Sequence, residues 1–125
     1  MTTRFTVLVC DDALFMRTML CSIVSDAGYE VVGEAGDGRA AVETYKAVRP
    51  DIVLMDMVMP ELSGVDAVRE ICAFDPGARI VMCSAMGQQQ IVTNALAAGA
   101  RGFITKPFTP SRVLEALVEL VGVAA

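Results

Sequence analysis

Short apolar runs alternate along the chain with longer stretches whose apolar positions recur every three or four residues. The runs are Phe5 to Cys10, Glu30 to Ala35, Asp51 to Asp56, Ala78 to Ser84 and Arg101 to Thr105, and they predict strands. The third is apolar on both alternations, the pattern of a central parallel strand covered on two faces. Between the runs, the spacing predicts helices. The first covers about Ala13 to Ala27, with Met16, Met19, Leu20, Ile23, Val24 and Ala27 as its apolar stripe. Gly28 stops it, in the position where a left-handed residue is common. Asp37 is the expected N-cap of the second helix, which turns Ala41, Val42 and Tyr45 to the core and ends at Arg49-Pro50.

The turn Met59 to Gly64 leads into the third helix, where Ser63 and Asp66 have capping-box spacing; Asp75-Pro76-Gly77 ends it. The fourth helix begins after Gly87, near Gln88, and stops before Gly99. The fifth takes Thr109 as N-cap and Pro110 in its first turn, and runs to about Val121. Strand and helix thus alternate in a (βα)5 order with short connections. Right-handed crossovers turn that order into a doubly wound parallel sheet with helices on both faces.

Composition narrows the function. The 125 residues fit one domain with no second. Hydrophobic residues make up 54%, which excludes a disordered chain. No apolar run reaches the length of a membrane span, and Met1 to Phe5 carry no apolar signal segment, so the cytoplasm is the expected location. Cys10, Cys21, Cys72 and Cys83 form no C-x-x-C pair and read as buried reduced thiols. Without histidine or paired cysteines, a zinc site is not expected. The net charge is -5 and the basic residues are scattered, so neither nucleic acid nor membrane is an expected partner; the expectation is a monomer.

The candidate chemistry lies where the apolar runs stop. Asp11 and Asp12 follow the first, Asp56 closes the third, Ser84 closes the fourth and Lys106 follows the fifth. In a parallel sheet all of these reach one edge, and open α/β sheets bind ligands outside the carboxyl ends of their strands. Three acids, a hydroxyl and a cation there suit a divalent metal and a phosphoryl group. Each residue has an ordinary reading alone: a helix cap, a loop acid, a strand-end serine, a surface lysine. Their conjunction at successive strand ends favours the chemical one.

The segments Val9 to Asp12, Pro50 to Gly64, Ser84-Ala85 and Lys106 to Phe108 resemble the receiver domains of two-component response regulators. The stretches Asp12 to Arg17, Cys83 to Gln89 and Lys106 to Val113 are similar to the single-domain chemotaxis branch of that family. The resemblance spans nearly the whole chain and implies a flavodoxin-like strand order 2-1-3-4-5 with no output domain. It implies magnesium held by Asp11, Asp12, Asp56 and the backbone carbonyl of Val58. It also implies transfer of a phosphoryl group to Asp56 from a phosphohistidine on a histidine kinase, or from a small acyl phosphate. Lys106 would pair with that group, and the Ser84 hydroxyl and Ala85 N–H would donate to it. A cis Lys106-Pro107 bond is implied as well.

The implied output is a conformational switch. Ser84 is drawn to the phosphoryl group and Phe103, the switch aromatic, moves inward; phenylalanine lacks the hydroxyl that a tyrosine would offer there. The implied partner face is the fourth helix, fifth strand and fifth helix, with Gln90, Thr93, Asn94 and Phe103, and the flagellar motor switch is the implied target. Val58 and Met86 flank the path of an attacking water and cannot activate it, so slow self-dephosphorylation and a separate phosphatase are expected.

Other readings compete. A stand-alone receiver in another phosphorelay has the same chemistry. A magnesium-dependent phosphohydrolase of the haloacid-dehalogenase type needs a second acid two residues after its nucleophile, where this chain has Val58. A flavodoxin would need a Thr/Ser-rich loop after the first strand, where the chain has two acids. An interaction module that is never phosphorylated would not need the complete set of acids, hydroxyl and lysine.

Overall fold

The structure, a computed structural model, describes residues 4–85 and 89–121. Strands and helices follow in the order β1 Thr6–Cys10, α1 Leu14–Asp26, β2 Glu30–Ala35, α2 Gly38–Val48, β3 Ile52–Asp56, α3 Gly64–Phe74, β4 Ile80–Ala85, α4 Gln89–Ala98, β5 Gly102–Lys106 and α5 Pro110–Val121. All strand pairs are parallel, in the order β2-β1-β3-β4-β5. The order expected from the resemblance is the observed one.

Alternation along the central strands divides the core in two. Leu8, Cys10, Val53, Met55, Ile80 and Met82 face Ala41, Val42 and Tyr45 of α2, Val68 and Ile71 of α3, and Val92 and Ala95 of α4. Val7, Val9, Ile52, Leu54, Val81, Cys83 and Ile104 face Leu20 and Val24 of α1 and Val113 and Leu117 of α5. Successive side chains of a strand point to opposite faces, so a run apolar at every position needs both covered. Every residue of β3 is buried.

The helix ends follow their caps. Asp37 accepts from the Ala40 N–H at 2.7 Å, Ser63 from Asp66 at 3.2 Å and Thr109 from Arg112 at 3.2 Å. Gly28 ends the first βα unit at φ 95°. Arg49 also adopts a left-handed conformation, φ 46°, rather than the extended one favoured before proline. Its N–H donates to the Tyr45 carbonyl at 2.8 Å, and its guanidinium lies 4.8 Å from the centroid of the Phe74 ring.

Other expectations need correction. Met19 and Ala27 are exposed and do not join the core stripe of α1. Met19 sits about 100° around the helix from Leu20, which places it beyond the buried flank. Cys10 and Cys83 are buried, whereas Cys21 and Cys72 are half-buried; all four are free thiols. Strand β4 starts at Ile80 rather than Ala78, whose N–H instead closes a turn onto the Asp75 carbonyl. Met86, Gly87 and Gln88 lie outside the described residues, and with them the expectations for Met86 and for the start of α4.

At the far edge of the sheet, Thr6 and Asp51 clip β1 to β3. The Thr6 N–H and hydroxyl donate to Asp51 Oδ2 at 2.8 and 3.1 Å, and the Asp51 N–H reaches Thr6 Oγ1 at 2.9 Å. Thr6→Val should cost about 1 kcal/mol in a urea titration and leave the opposite edge of the sheet untouched.

Candidate functional site

Side-chain parity builds the site. Asp11 continues the face of Val7 and Val9, Asp56 that of Ile52 and Leu54, and Lys106 that of Ile104. All three therefore project on the α1/α5 side at the carboxyl edge. Lys106 Nζ bridges the acids, 3.0 Å from Asp11 Oδ2 and 3.2 Å from Asp56 Oδ1. Asp11 is 1% exposed, and its other oxygen accepts the Ala13 N–H at 2.9 Å. Asp12, just past the strand, is exposed. Carboxylate oxygens of Asp11, Asp12 and Asp56 all lie within 4.8 Å of one another. The Lys106-Pro107 bond is cis, as the resemblance implies.

Three carboxylates beside one ammonium leave excess negative charge. Burial raises the pKa of Asp56 above its ordinary value, and the neighbouring Asp11 charge adds to this, against the pull of Lys106. Burial draws the Lys106 ammonium the other way, but its hydrogen bond to Asp11 and the charges of Asp56 and Asp11 outweigh that, and its pKa is raised. Oxygen donors without nitrogen or sulfur suit a hard divalent cation such as magnesium, which keeps part of its water shell. Asp11, Asp12 and Asp56 could hold it. The buried Cys83 lies across from Asp56 in the β3–β4 pairing. Burial pushes its thiol up to about 12, so it stays protonated at neutral pH and is no competing nucleophile.

The remaining expected residues fall in two groups. Ser84 is buried at the end of β4, and Ala85 pairs with Lys106 in register. Among the described residues, no hydrogen bond joins Ser84 to the acids. Val58, two residues past Asp56, is 60% exposed. Gln90, Thr93 and Asn94 are exposed on α4, with Gln90 donating to Asn94 at 3.2 Å. Phe103 stands 42% exposed at the wall of a cavity of about 280 Å³, lined also by Leu96, Arg101, Arg112 and Leu120.

Two features escaped the sequence reading. Gly38 and Gly64 let the helices press on the loop after β3. A Cβ at Gly38 would meet the Leu62 backbone, and one at Gly64 would lie 2.8 Å from Met57 Cα and closer still to the Asp56 carbonyl. Their place at the first positions of α2 and α3 was the available signal. The other is Arg17, whose Nη1 donates to the Asp11 carbonyl at 2.6 Å; a cation in the first turn of a helix opposes the dipole, which was the clue.

A family model described as response regulator receiver domain matches residues 7–118. The chain belongs to that family. The receiver is 61% identical over 111 residues to chemotaxis protein CheY of Thermotoga maritima, covering 89% of this chain and 92% of that one. It is 54% identical to CheY of Bacillus subtilis, again over 111 residues, covering 89% of this chain and 92% of that one. In the crystal structure of the CheX-CheY-BeF3-Mg+2 complex from Borrelia burgdorferi, a chain 36% identical matches with a TM-score of 0.90, over 94% of this receiver and 89% of that chain. A CheY-type receiver is a component of phosphorylation-dependent signalling rather than a turnover enzyme. Among the described residues, no helix is long and apolar enough to cross a membrane.

Proposed function

We propose that this receiver is a cytoplasmic switch that accepts a phosphoryl group on Asp56 and answers with a change in its partner-binding face. The carrying observation is the triangle of Asp11, Asp56 and Lys106, with Asp12 beside it. An oxygen of Asp56 attacks phosphorus as the bond to the donor's leaving group breaks, giving an acyl phosphate. Because Lys106 bridges Asp56 to the buried Asp11, the Asp56 carboxylate is aimed before the donor arrives. When bound, magnesium supplies positive charge to the transferred oxygens. Asp11, Asp12, Asp56 and the Val58 carbonyl hold it; Lys106 pairs with the phosphoryl group; Ser84 and the Ala85 N–H donate to its oxygens.

The donor is a histidine kinase, and small acyl phosphates can replace it. Phosphorylation adds charge of roughly -1.5 to -2, which draws the buried Ser84 toward the phosphoryl group and lets the half-exposed Phe103 turn toward the core. Burial alone can drive that turn, since phenylalanine brings no hydroxyl. The face of α4, β5 and α5, with Gln90, Thr93, Asn94 and Phe103, then changes its affinity for a protein target. Similarity to chemotaxis relatives supports the flagellar motor switch as that target. Beryllofluoride with magnesium should shift backbone resonances around Ser84 and Phe103; changes confined to Asp11, Asp12 and Asp56 would contradict the switch.

Val58 gives the site no group that can hold an attacking water, so the phosphoryl group decays slowly and a separate phosphatase ends the signal. Val58→Asn should shorten the lifetime severalfold, measured by loss of label from the phosphorylated protein. An unchanged lifetime would remove Val58 from the account.

A further inference from the structure

Arg17 occupies the first turn of α1, where a positive charge is disfavoured by the helix dipole. Its side chain is nonetheless largely buried, 19% exposed. Nη1 donates to the Asp11 carbonyl at 2.6 Å. Nε faces Glu34 Oε1 at 3.4 Å, an ion pair without a hydrogen bond. Gly36 leaves room for the guanidinium, since a Cβ there would come within 3.2 Å of Nη1. On the other side, the Asp11 N–H donates to the Ala35 carbonyl at 3.0 Å. The backbone of Asp11 is thus gripped at both ends, by β2 at its N–H and by Arg17 at its carbonyl.

That carbonyl lies in the peptide plane shared by Asp11 and Asp12, and the plane is stiff. Fixing it fixes the direction in which Asp12 leaves the strand. We propose that Arg17 is a positioning residue: its guanidinium, oriented by Glu34, sets the Asp11–Asp12 peptide so that both carboxylates converge with Asp56 on one divalent cation. This rests on the metal and phosphoryl reading of the site and adds the element that shapes it.

Charge and position predict opposite signs. Removing a cation near an acidic cluster should tighten magnesium binding by electrostatics alone. Losing the grip on the peptide should weaken it, by about tenfold where a supporting partner is lost. Magnesium titration of the full chain by calorimetry, beside thermal melts, separates them. Arg17→Met keeps most of the packed stem and should raise the magnesium dissociation constant about tenfold. Arg17→Lys should recover part of the loss, because an ammonium can reach one carbonyl but lacks the fork. Thr6→Val, at the opposite edge, should lower the melting temperature without moving the dissociation constant. An Arg17→Met protein that binds magnesium as tightly as the wild type, or more tightly, overturns the positioning role while leaving the site reading intact. If Arg17→Met does not fold, unchanged binding by Arg17→Lys overturns it equally. A wild-type protein that binds no magnesium overturns the site reading and this inference together.

Discussion

Lys106→Ala should cost the metal-free protein about 2 kcal/mol, and saturating magnesium should return most of it. Lys106 lies 3.0 Å from an Asp11 oxygen and 3.2 Å from an Asp56 oxygen, and Asp11 is 1% exposed. Without the ammonium, clustered carboxylates face one another in a site too buried for water to screen them fully. For a chain of this size the melting temperature should fall by about 8 °C. Asp56→Asn should move it the other way. Burial and the Asp11 charge hold the Asp56 carboxyl above its ordinary pKa, so its ionised form is a cost that a neutral amide removes. The sign fixes the pH dependence: the cost is present above the folded-state pKa and is relieved as pH falls through it. The gain of Asp56→Asn should therefore shrink on acidification from neutral pH. Melts of the three proteins with and without magnesium check all of this; a Lys106→Ala protein as stable as the wild type would contradict it.

Gly64→Ala should destabilise the protein by about 3 kcal/mol and reduce phosphorylation with it. The added methyl meets backbone rather than a mobile side chain: Met57 Cα at 2.8 Å, with the Asp56 carbonyl nearer still. The Gly64 N–H also donates to the Met57 carbonyl at 3.0 Å, so helix and loop cannot separate without losing that bond. Relief must come from moving the segment that carries Asp56. Gly28→Ala is the comparison, since its Cβ would meet nothing within 4 Å and only its φ of 95° resists. It should cost about 1 kcal/mol and leave phosphorylation unchanged. Urea titration and phosphorylation rates of the pair test the contrast; equal losses of phosphorylation would contradict it.

Much of this site was legible because local rules carry it. Asp37, Ser63 and Thr109 cap helices through bonds to residues three further on, so a short window contains both partners. The unbroken apolar character of Ile52 to Met55 marks a doubly covered strand, which fixes the edge where Asp56 emerges. What stayed hidden depends on tertiary approach. Arg17 meets Asp11 because the chain folds back at the end of β1, and Glu34 joins them from another strand. The Thr6–Asp51 clip spans β1 and β3. Met19 matched the helical period but lies beyond the flank that the sheet covers, and sequence period does not give the width of the contact. Arg49 takes a left-handed conformation that the rule for residues before proline does not include, with its guanidinium against Phe74 from α3.

The proposed acceptance of a phosphoryl group by Asp56 depends on this acidic, lysine-bridged site. Intact mass after incubation with acetyl phosphate and magnesium, beside an Asp56→Asn control, tests it most directly. A single phosphoryl adduct is expected, and it should disappear without magnesium and in the control. An adduct that persists in Asp56→Asn, or forms equally well without magnesium, would contradict it.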